Sequence, residues 1–231
     1  MTVRIPTHEL VGLLTDLSLT AADPEVGNAT AGVLLHTVRG YDGDTPGKTD
    51  LLVGTSTDGI VLGHTHVPCS GQADPMLWPI GDVTAVLAVL KPLAKNKDHA
   101  VEITREGDVF AVAEDRDLFG EGLTLTFAAA DAEEFPPGAW SMLSELAVSP
   151  PEGSQPALAR TDFVASRIAP FLKIAARRKS MVSWFRWHQR LPVVVEIGSE
   201  YRGLISPYAY NDEDRSAGVA PGGDVYPLAV E

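Results

Sequence analysis

Three side chains of the types zinc favours lie close together in GHTHVPC (residues 63–69): His64, His66 and Cys69. On a strand, alternation would put both imidazoles on one face. Only three donors are local, however, and no second Cys or His cluster completes a tetrahedron, so an ordinary hairpin edge is the favoured reading and no metal is expected. TSTDG (55–59) sets hydroxyls beside a carboxylate. A hairpin turn at Asp58-Gly59 explains that spacing without catalysis. Asp131, Glu133 and Glu134 read as a solvated loop ahead of a linker. No GxGxxG or GxxxxGK[ST] phosphate loop follows a strand, and GxSxG is absent. Nothing in the sequence asks for an enzyme or a cofactor.

The strongest chemical signal is electrostatic. Residues 160–190 hold eight of the chain's 18 Lys and Arg and one acid, Asp162, a local net of +7 in a chain of net −13. A basic segment kept against such a background suits a polyanion, and phosphate contact is the chemistry it points to. The candidates are Arg160, Arg167, Lys173, Arg177, Arg178 and Lys179, with Lys91, Lys95 and Lys97 as a smaller basic patch. The competing reading is a solvated helix face whose cations pair with nearby carboxylates. Trp184, Phe185 and Trp187 interleave with Arg186, His188 and Arg190, a composition able to stack single-stranded bases. The favoured alternative leaves Trp184 and Trp187 to the fold, since alternation exposes only one face of a strand.

Helices and hairpins must position these residues. Thr7 can cap a first helix with Leu10, Leu13, Leu14 and Leu17 on one face. A strand at 31–38 and a hairpin at 51–67 follow. Asp82 can cap a second helix that buries Val83, Val86, Leu87 and Leu90 and stops or kinks at Pro92. A hairpin at 100–115 and a strand at 123–127 complete that unit. Two Pro/Gly-rich segments, 134–138 and 149–156, suggest a crossover between domains. Beyond it Val164, Ile168, Phe171, Leu172 and Ala175 form an apolar stripe in the basic segment, with Pro170 predicting a kink or a later helix start. Strands are expected within 180–206 and a last short one at 226–230. One helix followed by about three strands, met three times, makes an α+β protein. The expected division is a first domain at 1–137, a crossover at 138–156 and a second, reduced domain at 157–231.

Bulk properties narrow the function. A 45% hydrophobic, 21% charged chain is globular. Net charge −13 repels phosphate at long range, so any nucleic-acid contact must be geometrically confined. A single cysteine fits a reducing compartment. With no secretory leader and no apolar span expected, the reading is a soluble, cytoplasmic protein without a membrane partner.

Three stretches resemble DNA sliding clamps, the group that includes the bacterial DNA polymerase III β subunit and phage clamps. TSTDGIVLG (55–63) is similar to the family's ATDG hairpin, with Val61 where an arginine is usual. LTLTFAAADAEEFPP (123–137) resembles a closing domain strand running into an acidic EFP linker. LPVVVEIGSEYRGLISPYAY (191–210) resembles the family's closing strands, with Ser206-Pro207 in place of Met-Pro. The resemblance implies helices facing duplex DNA inside a ring of sheets, and non-specific backbone contact that permits sliding. It also implies a DNA polymerase and a clamp loader as partners, docking in a hydrophobic pocket carried over to Leu204, Ile205 and Pro207. A homo-oligomer is implied: a trimer if the chain holds two domains, four chains if each supplies three units of a ring of twelve, a dimer being the further alternative. A single-stranded nucleic-acid module, or a clamp-like interaction protein that closes no ring, are the other readings left open.

Overall fold

The structure, a computed structural model of the chain, describes residues 2–26, 30–41, 47–114, 122–128, 130–136, 139, 143, 161–186 and 191–207. Among the described residues the helices α1 (Thr7–Ser18), α2 (Ile80–Leu93) and α3 (Ala165–Arg178) lie against two antiparallel sheets.

Each of the first two units begins with a strand the sequence reading missed. β1 (Thr2–Pro6) runs directly into α1, and β6 (Met76–Pro79) runs directly into α2. Both end in a proline that serves as helix N-cap, with extended φ and ψ and no side-chain cap. Thr7 and Asp82, expected as caps, are therefore inside their helices, and the Thr7 hydroxyl instead meets His99 Nδ1 at 2.6 Å. Proline suits this junction because its fixed φ fits the strand's end and the helix's start alike.

The leading strands cross over. β1 pairs with β7 (Ala100–Glu106) of the second unit, giving the five-stranded order β5-β1-β7-β8-β9, with β5 at Ser70–Gln72, β8 at Val109–Glu114 and β9 at Thr124–Ala128. In return β6 pairs with β2 (Gly32–Gly40) of the first. Each unit thus completes the other's sheet. Between the sheets and the helix pair α1–α2 lies one core containing Val3, Ile5, Leu14, Val86, Leu87 and Ile103, with Trp78 stacked on Phe110 at 4.5 Å.

The third unit is α3 followed by β10 (Val182–Phe185), β11 (Val193–Ile197) and β12 (Tyr201–Ile205). β12 joins β4 (Val61–Pro68) in antiparallel register, Gly203 opposite Gly63. One seven-stranded sheet, β10-β11-β12-β4-β3-β2-β6, with β3 at Thr49–Thr57, therefore spans the first and third units. α3 runs through Pro170 and starts five residues before it. The β3–β4 hairpin turns at Asp58-Gly59 as expected, with Gly59 at φ +89. Most of the crossover at 138–156, and the strand expected at 226–230, lie outside the described residues. None of the helices described is long and apolar enough to cross a membrane.

Candidate functional site

The basic helix is where the structure adds most. Its last turn brings Arg177 and Arg178 to Asp16 of α1, a carboxylate with no solvent exposure. Arg177 Nε donates to Asp16 Oδ1 at 2.6 Å and its Nη2 to Oδ2, a fork on both oxygens. Arg178 Nε donates to Oδ2 at 2.7 Å, its Nη1 to Glu200 at 2.9 Å and its Nη2 to the Thr65 hydroxyl at 2.8 Å. Arg178 also lies over the Tyr201 ring, 5.6 Å from its centroid. Two guanidinium groups and two carboxylates leave this cluster with no net charge.

Beneath it the hydroxyls of Thr20 and Ser56 meet at 2.7 Å. Gly63 leaves the room for this: a Cβ there would run into Thr20 Oγ1 and Tyr201 Oη. Burial pushes the Tyr201 phenol well above its ordinary range.

The other predicted phosphate contacts divide by partner. Arg167 reaches Asp58 at 3.2 Å, tying α3 to the β3–β4 turn. Lys173 and Lys179 are exposed on α3 and at its end, and Lys91, Lys95 and Lys97 are exposed at the end of α2 and just after it. None of these five lysines has an ion pair among the described residues. Lys179 ends α3 in the left-handed conformation, φ 52, which a side chain rarely adopts. Arg160 lies outside the described residues. The sequence therefore found the basic helix, but not that its two consecutive arginines hold a buried acid. Asp16, set among the leucines of α1, was the signal: an acid at such a position is buried only with partners.

Trp184 sits on the helix side of β10, edge-on to Phe171 at 6.0 Å and 5.8 Å from Phe163. Its ring packs on these two while the residue stays 37% exposed. Trp187 is outside the described residues.

On the far side of the seven-stranded sheet a pocket of about 330 Å³ opens between the β3–β4 turn and the end of β12. Ile60, Leu62, Pro136, Ala139, Pro192 and Leu204 give it an apolar lining. Of the three expected pocket residues, Leu204 lines it. Ile205 does not: strand alternation turns it to the helix side, where it is fully buried beside Val61 and Tyr201. Ser206 lines the pocket, and Pro207 does not.

His64 and His66 share the outer face of β4, as alternation requires, with Cys69 beyond the strand's end. His64 Nδ1 is engaged with the Thr55 hydroxyl at 2.9 Å. Burial, then the neighbouring His36, His66 and Arg202, push its pKa down to about 3. Burial and Asp50 push the Cys69 thiol up to about 11, away from the thiolate a metal would need. Among the described residues no group of three His, Cys, Asp or Glu could hold a metal ion.

No protein-family model and no curated protein matches the chain. Solved structures do. The DNA polymerase III β subunit of Pseudomonas aeruginosa superposes with a TM-score of 0.60 over 97% of this chain, at 16% identity. The corresponding subunits of Thermotoga maritima and Caulobacter crescentus superpose with TM-scores of 0.59 and 0.60 over 91% and 90%, both at 12% identity. The fold is that of a sliding clamp. The chain spans about two thirds of these clamps, 69% of the first and 66% of the other two. In this fold the crossed leading strands and the shared seven-stranded sheet place the basic residues of α3 in the helix layer, and the apolar pocket on the opposite side of the sheet.

Proposed function

We propose that the chain is a sliding-clamp subunit that holds a polymerase or another DNA enzyme to duplex DNA. The helix layer would meet the phosphate backbone, and the pocket beside Leu204 would take an apolar segment of the partner protein. The observation that carries this reading is the exposed set Lys91, Lys95, Lys97, Lys173 and Lys179, borne on or beside two helices of a clamp fold in a chain of net −13. Their side chains have no competing carboxylate among the described residues, unlike Arg177 and Arg178. Weak, sequence-independent contact by a few lysines suits a protein that slides, because each phosphate contact is easily exchanged for the next. No catalytic residue or cofactor is needed for this role.

A ring of twelve helix units would take four chains if α1, α2 and α3 are the helices each chain contributes, and three chains if the second domain is complete.

The lysines give the test. Duplex binding measured across salt concentrations should have a log–log slope that loses about 0.9 for each phosphate contact removed. Lys173→Glu with Lys179→Glu should therefore flatten the slope by about 1.8 and weaken binding to all sequences alike. An unchanged slope in that double variant would remove the reading. Ile60→Asp, at the exposed rim of the pocket, should weaken capture of a polymerase-derived apolar peptide while leaving the DNA slope unchanged.

A further inference from the structure

The pocket beside Leu204 is walled on one side by the β3–β4 turn: Thr57, Gly59, Ile60, Val61 and Leu62 all line it. Asp58, between them, does not. Its carboxylate acts from behind the wall. Oδ1 accepts from the backbone N–H groups of Ile60 and Val61, both at 2.8 Å. The Thr57 hydroxyl adds a second lock, donating to the Val61 carbonyl at 2.6 Å and accepting from the Gly59 N–H at 3.0 Å. These bonds fix the shape of the turn. They do not fix where it stands against the third unit, which supplies Pro192, Leu204 and Ser206 to the same pocket.

Beyond the β4–β12 ladder, the third unit holds the turn by its backbone and by a side chain. The Ser206 N–H donates to the Ile60 carbonyl at 3.1 Å. Arg167, in the first turn of α3, sets its Nη1 3.2 Å from Asp58 Oδ2. The hairpin turn closes the end of the sheet, so a residue of the helix layer can reach round it to the wall of the pocket. α3 is thereby held to the first unit at both ends by arginine and carboxylate, through Asp58 at its start and Asp16 at its close.

We propose that Arg167 is a positioning residue of the pocket, holding through Asp58 the wall that Ile60 and Val61 present to a partner's apolar segment. The inference rests on the pocket reading above, and it puts Arg167 on the partner side of the protein instead of among the phosphate contacts. With Arg167 in place both oxygens of Asp58 are engaged, and Oδ1 stays on the two N–H groups of the turn. Without it a partly buried charge loses its partner, and turning toward water to recover solvation takes Oδ1 off the amides. The wall then loosens on the Ile60 side, and a partner must order it on binding, at a cost in affinity. The two side chains are 32% and 28% exposed, so the effect has the size of a partly screened ion pair and not of a buried one.

The experiment reads the wall by methyl NMR of the full chain, and its consequence by binding of an end-blocked, uncharged pentapeptide carrying leucine and phenylalanine. Arg167→Gln should shift the Ile60, Val61 and Leu62 methyl signals and leave those of Leu10 and Val83 in place. Its affinity for the peptide should fall about two- to fivefold, the range of a partly exposed ion pair. Arg167→Lys, which keeps the cation, should recover most of that loss. Asp58→Asn keeps an oxygen for the amides of the turn and should lose as much as Arg167→Gln, with the double variant no worse than either alone. Raising salt from about 0.1 M to about 1 M shortens the screening length from about 10 Å to about 3 Å. The advantage of wild type over Arg167→Gln should shrink accordingly, which a purely steric role for the side chain would not produce. Methyl signals that stay put in Arg167→Gln, or an unchanged peptide affinity, would overturn the proposal. So would a duplex-binding salt slope that drops by about 0.9 in Arg167→Gln, the mark of a phosphate contact. A wild type that takes no apolar peptide removes the pocket reading, and the methyl signals still decide whether Arg167 sets the wall.

Discussion

α1 has two neighbours and meets them by opposite means. Toward α2 it presents leucines, and the seam is an ordinary apolar one closed by Leu14 and Leu87. Toward α3 it presents Asp16, with no solvent exposure, and receives two arginines. An apolar seam tolerates many rotations and side-chain exchanges. A carboxylate gripped by a guanidinium fork tolerates few, because a misplaced helix leaves a charge buried and unpaired. The difference teaches how a third unit can be added without losing its register: the ion pair fixes where α3 sits, while the sheet runs on from β4 into β12. It also gives two of the residues that looked most suited to DNA a buried partner within the chain.

The largest effect should come from breaking the ionic seam. Asp16→Ala leaves Arg177 and Arg178 facing a buried void and should cost about 3–5 kcal/mol in urea unfolding. A loss below 1 kcal/mol would mean the cluster is ornamental to the fold. The apolar seam is tested by paired truncations at equivalent positions. Leu14→Ala should cost about 2–5 kcal/mol. Leu172→Ala should stay within about 0.5 kcal/mol for the isolated chain, being exposed. Equal costs at the two sites would show that the third unit's helix is already covered. Gly63→Ala is a smaller probe of the layer under Asp16. Crowding Thr20 and Tyr201, it should cost about 1–3 kcal/mol, read as a lower melting temperature.

The sheet common to both seams carries a pH signature. His64 has a folded pKa of about 3 against an ordinary 6.5, so the unfolded chain binds its proton more readily. The stability this contributes is fully present above pH 6.5 and is lost as pH falls toward 3. His64→Asn should flatten that limb of the stability curve relative to wild type. Identical acid limbs would place the titration elsewhere.

Much of the fold was legible because periodicity survives divergence. Leu10, Leu13, Leu14 and Leu17 announced α1, and Asp58-Gly59 announced its hairpin. β1 and β6 were hidden because each is short and ends in proline, which reads as loop chemistry. The apolar pocket was half legible: Leu204 was found, but Ile205 was chosen with it although neighbours on a strand face opposite ways. Pairing of the basic helix's cations with carboxylates was one of the two readings, but which acid Arg177 and Arg178 hold was not legible. Their partner is some 160 positions away, and no local pattern links a lone acid in one helix to a basic pair in another.

The most direct test of the central claim is how long the protein stays on DNA whose ends are free compared with DNA whose ends are closed. If the chain assembles into a clamp, it should be retained on circular duplex through washes at raised salt and lost as soon as the circle is cut. Equal lifetimes on circular and linear DNA of the same sequence would contradict the account.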